Sequence, residues 1–127
     1  MKSNFKFVVI RDKWARGRTN VSSELLNIMG NMCCLGFLGK ACGYNDEDLK
    51  QVPSPGYIVY EYIDGKVLSK FPSSLVMLDA KHPFECRDTP ACRNLMKIND
   101  DEEISDQERE KLLTEKFLEI GIEVEFK

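Results

Sequence analysis

Histidine is nearly absent from this chain: His82 is the only one in 127 residues. Any mechanism that needs an imidazole base must use it. Long apolar runs are missing too, which excludes a membrane-spanning helix. No C-x2-C knuckle is present, and structural zinc sites favour cysteines two to four residues apart. His82, Cys86 and Cys92, with Cys42 as a fourth ligand, therefore make a poor match to a zinc site, and neither a metal nor a cofactor is expected. There is no internal repeat, heptad seam or low-complexity tract. The first residues, M-K-S-N-F-K-F-V-V-I, run into Arg11, Asp12 and Lys13 without a small-residue cleavage site, so they read as a mature strand and not as a signal peptide.

What is present is the composition of a soluble globular protein, 43% hydrophobic and 31% charged. The length fits one domain, residues 1–127, with a core of its own. Five cysteines is an odd number, and the adjacent Cys33 and Cys34 cannot pair with each other without distorting the backbone. Reduced thiols in a cytoplasm follow. The net charge of −3 conceals a polarity along the chain. Residues 1–20 hold six cations against Asp12, whereas residues 99–127 hold eleven acids against four bases. Such ends either attract each other or offer an acidic face to a basic partner.

Phe5, Phe7 and Val9 alternate with Lys6, Val8 and Ile10, and Ile122, Val124 and Phe126 alternate with Glu123, Glu125 and Lys127. Both stretches read as strands, and glutamates opposite Lys6 or Lys2 favour pairing them. Y-I-V-Y-E-Y-I and K-V-L-S-K-F flank Asp64-Gly65, the sequence of a type I′ hairpin turn. Asn31 is placed to cap a helix from Met32, ended by Gly43. Ser105 and Glu108 form a capping box ahead of a second helix, whose Leu113, Phe117 and Ile120 share a face and which Gly121 stops. The segment from Pro72 to Cys92, with Pro83 and Pro90, reads as loops or short irregular elements. The expected fold is therefore α+β: an antiparallel sheet, made of the paired terminal strands and the central hairpin, packed on a buried helix containing cysteine and glycine and on an amphipathic C-terminal helix.

Chemistry concentrates in N-M-C-C-L-G-F-L-G-K-A-C-G, residues 31–43. It is not a phosphate loop, because Cys34 stands where the first glycine belongs and Ala41 where a hydroxyl does. Cys33 and Cys34 in a first helical turn are candidate nucleophiles, with His82 as base, since helix N-termini lower thiol pKa. The competing reading makes them packing groups in a buried helix, with Gly36 and Gly39 allowing close approach, the terminal strands being the expected neighbours. The basic cluster K-W-A-R-G-R, Lys13 to Arg18, does not predict direct nucleic-acid binding on an acidic chain; it is free to pair with the acidic half. N-D-D-E-E, Asn99 to Glu103, lacks the spaced ligands and glycine of a calcium loop.

F-V-V-I-R-D-K-W-A-R-G, the C-C-L-G helix, L-M-K-I-N-D, I-S-D-Q-E-R-E-K-L-L and G-I-E-V-E-F together resemble a group of small bacteriophage and prophage proteins that carry no assigned activity. The likeness covers most of the chain outside about residues 69–93, and its marks here are Trp14, Arg16 and Gly17, then Cys33 to Gly36, then Asn99 and Asp100. The resemblance implies a phage product acting in the cytoplasm of a bacterial host. The expected activity is binding a host protein, as an accessory or counter-defence factor, through an acidic helix face of Asp106, Glu108, Glu110, Glu115 and Glu119. The alternatives are a hydrolase or transferase using Cys33 or Cys34 with His82, and a small-ligand binder built round Trp14, Arg16, Asn99 and Asp100, although Asn99 and Asp100 also suit a turn or cap.

Overall fold

Period-two patterns mark strands but not their direction, because alternation reads the same either way along the chain. The computed structural model describes residues 5–17, 24–58, 61–63, 66–79 and 82–127; of these, 61–63, 66–68, 78–79 and 82–85 are described by their backbone. In chain order the elements are β1 (Phe5–Val9), α1 (Cys34–Ala41), α2 (Asp46–Leu49), β2 (Glu61–Ile63), β3 (Lys66–Leu68), β4 (Val76–Asp79), β5 (His82–Asp88), α3 (Pro90–Asp100), α4 (Asp106–Glu119) and β6 (Ile122–Phe126). Single 3-10 turns occupy Arg11–Lys13 and Pro55–Tyr57.

The terminal strands do pair, with Lys6 opposite Glu123 and Lys6 Nζ 3.9 and 3.7 Å from Glu123 and Glu125. They run parallel, however, and this corrects the antiparallel expectation. A parallel pair needs a long crossover, and here all the chain between the two strands supplies it. Nor is there one continuous sheet: the described strands form three two-stranded ladders, β1–β6 parallel, and β2–β3 and β4–β5 antiparallel. Fold class α+β holds; the single antiparallel sheet does not. The central hairpin is present with Ile63 opposite Lys66, while its turn, Asp64-Gly65, lies outside the described residues.

The segment read as loops holds β4, β5 and the start of α3. Proline misled there: Pro83 stands in a two-stranded ladder, whose edges tolerate a missing donor, and Pro90 occupies the first turn of α3, where no amide bond is lost. Thr89 caps α3 by accepting from Cys92 N–H. A short helix that the pattern did not disclose, α2, carries a full capping box between Asn45 and Asp48.

The expected buried helix exists two residues later than anticipated. Met32 cannot start it, because its N–H donates to Lys13 O (2.9 Å) and its C=O accepts from Ala15 N–H (2.8 Å) in an extended bridge beside Trp14. Cys33 is the N-cap and makes no side-chain cap bond, so Asn31 does not cap α1. From Cys34 to Gly39 every residue of α1 is buried, and Gly43 follows its end at φ +108°. Gly36 does permit a close approach, nearest to the Leu25 backbone and Met32, and Gly39 lies nearest to Leu49 and Phe71. One core joins β1, α1, α3, α4 and β6, with Phe7 edge-on to Phe117 at 5.1 Å and Trp14 tilted against Phe126 at 5.0 Å.

Candidate functional site

Helix α1 puts its thiols where water does not reach. Cys33 is 3% exposed and Cys34 is completely buried. Burial pushes the Cys33 thiol up to about 12, outweighing the Gly36 and Leu35 amides of the helix N-terminus that pull it down. Burial raises the Cys34 thiol well above its ordinary value as well. Helix-end activation is therefore real in direction but smaller than desolvation, and both sulfurs stay protonated near neutrality. His82 opens β5, paired with Asp79 at the far end of the β4–β5 hairpin. Cys42, half-buried, is pushed up to about 11 by desolvation, and Cys92 is raised by burial and by the Asp88 carboxylate. No group of three histidine, cysteine or acidic side chains among the described residues is arranged to hold a metal ion.

Trp14, Arg16, Gly17, Cys34, Asn99 and Asp100 come together, and they bond to one another. Asn99, 1% exposed near the end of α3, accepts from Trp14 Nε1–H (2.8 Å) and from Cys34 N–H (3.1 Å), and donates to Ala15 O and to Asp100 Oδ1 (3.0 Å each). Both its donor hydrogens and two acceptor directions are used. It therefore supplies the cap that α1 lacks, from another helix, instead of serving as a turn residue. Arg16 stacks its guanidinium over the Trp14 ring at 4.7 Å, donates to Asp106 (2.9 Å) and binds the Arg11 and Trp14 carbonyls.

Sequence reasoning missed the centre of this cluster. Arg109 is 2% exposed and donates to the carbonyls of Ile98 (2.8 Å), Asn99 (3.3 Å), Asp101 (2.6 Å) and Ile104 (3.1 Å), with Asp106 at 3.4 Å. It thereby satisfies carbonyls left open where α3 ends. A signal for it existed: Arg109, Leu113 and Phe117 are spaced four apart on one helical face, and two of the three are plainly core residues. Gly17, at φ +70°, donates to Asn99 O, and a Cβ there would sit 3.2 Å from the Arg109 guanidinium. The arginine-glycine step thus serves packing and backbone geometry together.

The acids of α4 divide into two sets. Asp106 pairs with Arg16 and Arg109, and hydrogen bonding by Arg16 holds its carboxyl below the ordinary carboxylate range. Glu110 receives a two-point grip from Arg11 at 2.9 and 2.7 Å. Arg11 and Arg16 of the basic N-terminal stretch are therefore clamped to the acidic helix. Glu108 and Glu115 stay exposed on the opposite side with no ion pair among the described residues, and Glu119 pairs only with neighbouring Lys116 at 3.3 Å. Leu118, between Glu115 and Glu119 in the last turn, is 55% exposed.

No family model, curated protein or solved structure matches this chain.

Proposed function

We propose that this chain is a phage-encoded, non-enzymatic accessory or counter-defence protein that binds a protein of the bacterial host in its cytoplasm, through the outer face of α4. The observation that carries the reading is the division of the α4 acids. Asp106 and Glu110 are spent on Arg16, Arg109 and Arg11, whereas Glu108, Glu115 and Glu119 lie exposed on the outer face, the last two close in the helix to the exposed Leu118. Outward-facing acids without ion pairs beside an exposed apolar side chain suit a protein contact with a basic rim, in which charge steers encounter and sets specificity. The internally bonded signature residues and the protonated thiols further support binding over chemistry. No helix among the described residues is long and apolar enough to cross a membrane.

The test is affinity capture from host lysate at low and moderate salt, with the native chain beside a Glu108→Lys, Glu115→Lys variant. A stoichiometric host protein that added salt releases and the variant fails to retain is the expected result. Capture that is indifferent to salt and to both substitutions removes α4 from the reading.

A further inference from the structure

Four chain segments lie side by side, joined in order by main-chain hydrogen bonds. Ala15 N–H donates to Met32 O and Met32 N–H to Lys13 O; Cys33 N–H donates to Glu24 O and Asn27 N–H to Asn31 O; Leu25 N–H donates to Val52 O and Gln51 N–H to Leu26 O. This order puts Met32 and Leu26 on the inner rows and Lys13 and Lys50 on the outer ones. All four line a groove of about 630 Å³, whose apolar surface continues through Phe37 of α1 and the exposed Ile28. That volume falls within the span of about 300–1,000 Å³ usual for small-molecule sites.

The unpaired polar side chains round this apolar floor are donors, with one exception. Lys40 is taken by Asp46 at 2.8 Å, while Lys13 and Lys50, both exposed, have no ion pair among the described residues, and Glu47 is the one unpaired acid in the lining. Asn27 adds a positioned amide. Its Oδ1 accepts from the N–H groups of Met29 and Asn31 (2.9 Å each), so the turn holds the side chain, and its Nδ2 has no partner among the described residues. Lys13 and Lys50 against Glu47 leave an excess of positive charge that a single anionic group balances.

We propose that this groove binds a small organic anion from solution, an apolar body with one carboxylate head, of the medium-chain fatty-acid class. The body covers Leu26, Met32 and Phe37, and the head draws on Lys13, Lys50 and the Asn27 amide. An extended peptide suits the groove less, because every second side chain of a strand points away from it, whereas both parts of a small amphiphile meet one concave face. The inference goes beyond the α4 reading and stands without it, since the two surfaces share no residue.

The probe is decanoate, titrated into the ¹⁵N-labelled full chain. Saturable shifts are expected at the Asn27, Met32, Phe37 and Lys50 amides, with the Leu118 amide unmoved. Decylammonium, the same chain with a cationic head, is expected to bind at least about tenfold more weakly. Lys13→Glu with Lys50→Glu is expected to weaken decanoate by a similar factor and to narrow the gap between the two probes, which a general loss of structure would not do. Should that pair disturb the fold, Ile28→Asp, 73% exposed in the native chain, is expected to weaken decanoate with the rest of the spectrum preserved. Glu108→Lys with Glu115→Lys is expected to leave decanoate affinity unchanged, which separates this groove from α4. Three results overturn the proposal: no saturable shift at the groove amides up to millimolar decanoate; equal binding of the two probes, or shifts that spread to Leu118, meaning unspecific apolar adsorption; or sedimentation with phosphatidylglycerol vesicles that decanoate does not displace, meaning that the surface meets a membrane.

Discussion

Helices α1 and α4 solve the same problem by opposite means. Helix α4 carries its own instructions: Ser105 accepts from Glu108 N–H at its start (3.1 Å), Leu113 and Phe117 form one apolar stripe, and Gly121 at φ +77° follows its end. Helix α1 carries almost none. It is buried all round through Gly39, its N-cap makes no side-chain bond, and its first free amide is satisfied by Asn99 from α3. A helix with an exposed face can be stabilised locally, whereas one with no exposed face depends on surroundings that must be in place together.

The contrast can be broken most severely at Gly36. A Cβ there would overlap the Leu25 carbonyl oxygen, a backbone atom that cannot rotate aside. Gly36→Ala is expected to cost upwards of about 4 kcal/mol, beyond ordinary overpacking, and thermal melting by circular dichroism checks it. Removing the borrowed cap comes next. Asn99→Ala leaves the Trp14 indole N–H, the Cys34 amide and the Ala15 carbonyl buried without their partner. At about 1 kcal/mol or more for each, the expected loss is about 3 kcal/mol in urea unfolding, and a loss comparable to a surface substitution would show that α1 is capped by other means. The smallest effect belongs to α4. Ser105→Ala removes a local cap on an exposed helix end and is expected to cost about 1 kcal/mol in the same assay, less than half the Asn99 effect.

The same contrast explains what could be read in the sequence. The span and cap of α4, the two terminal strands and the apolar character of α1 follow from local periodicity and capping chemistry. The direction of the β1–β6 pairing is invisible to a period of two, and the start of α1 is set by the Met32 bridge to Lys13 and Ala15, a contact between distant segments. Prolines at 83 and 90 argued for loops because the neighbours that tolerate them, a two-stranded ladder and a helix's first turn, are themselves products of folding. Of the polar residues, Trp14, Arg16, Asn99 and Asp100 could be singled out, but their mutual bonding could not. Arg109 went unnoticed because charge draws attention outward even when helical spacing places a residue inward.

The parallel union of β1 with β6 also has a consequence in time. Nearly all of the domain separates the two strands, so their pairing is among the most non-local contacts in the molecule. At ribosomal speeds of about 5–20 residues per second, β1 emerges on the order of ten seconds before its partner exists. Throughout that interval the edge of F-K-F-V-V that β6 will claim has no partner from its own chain, and an unpaired strand edge is a template for pairing between chains.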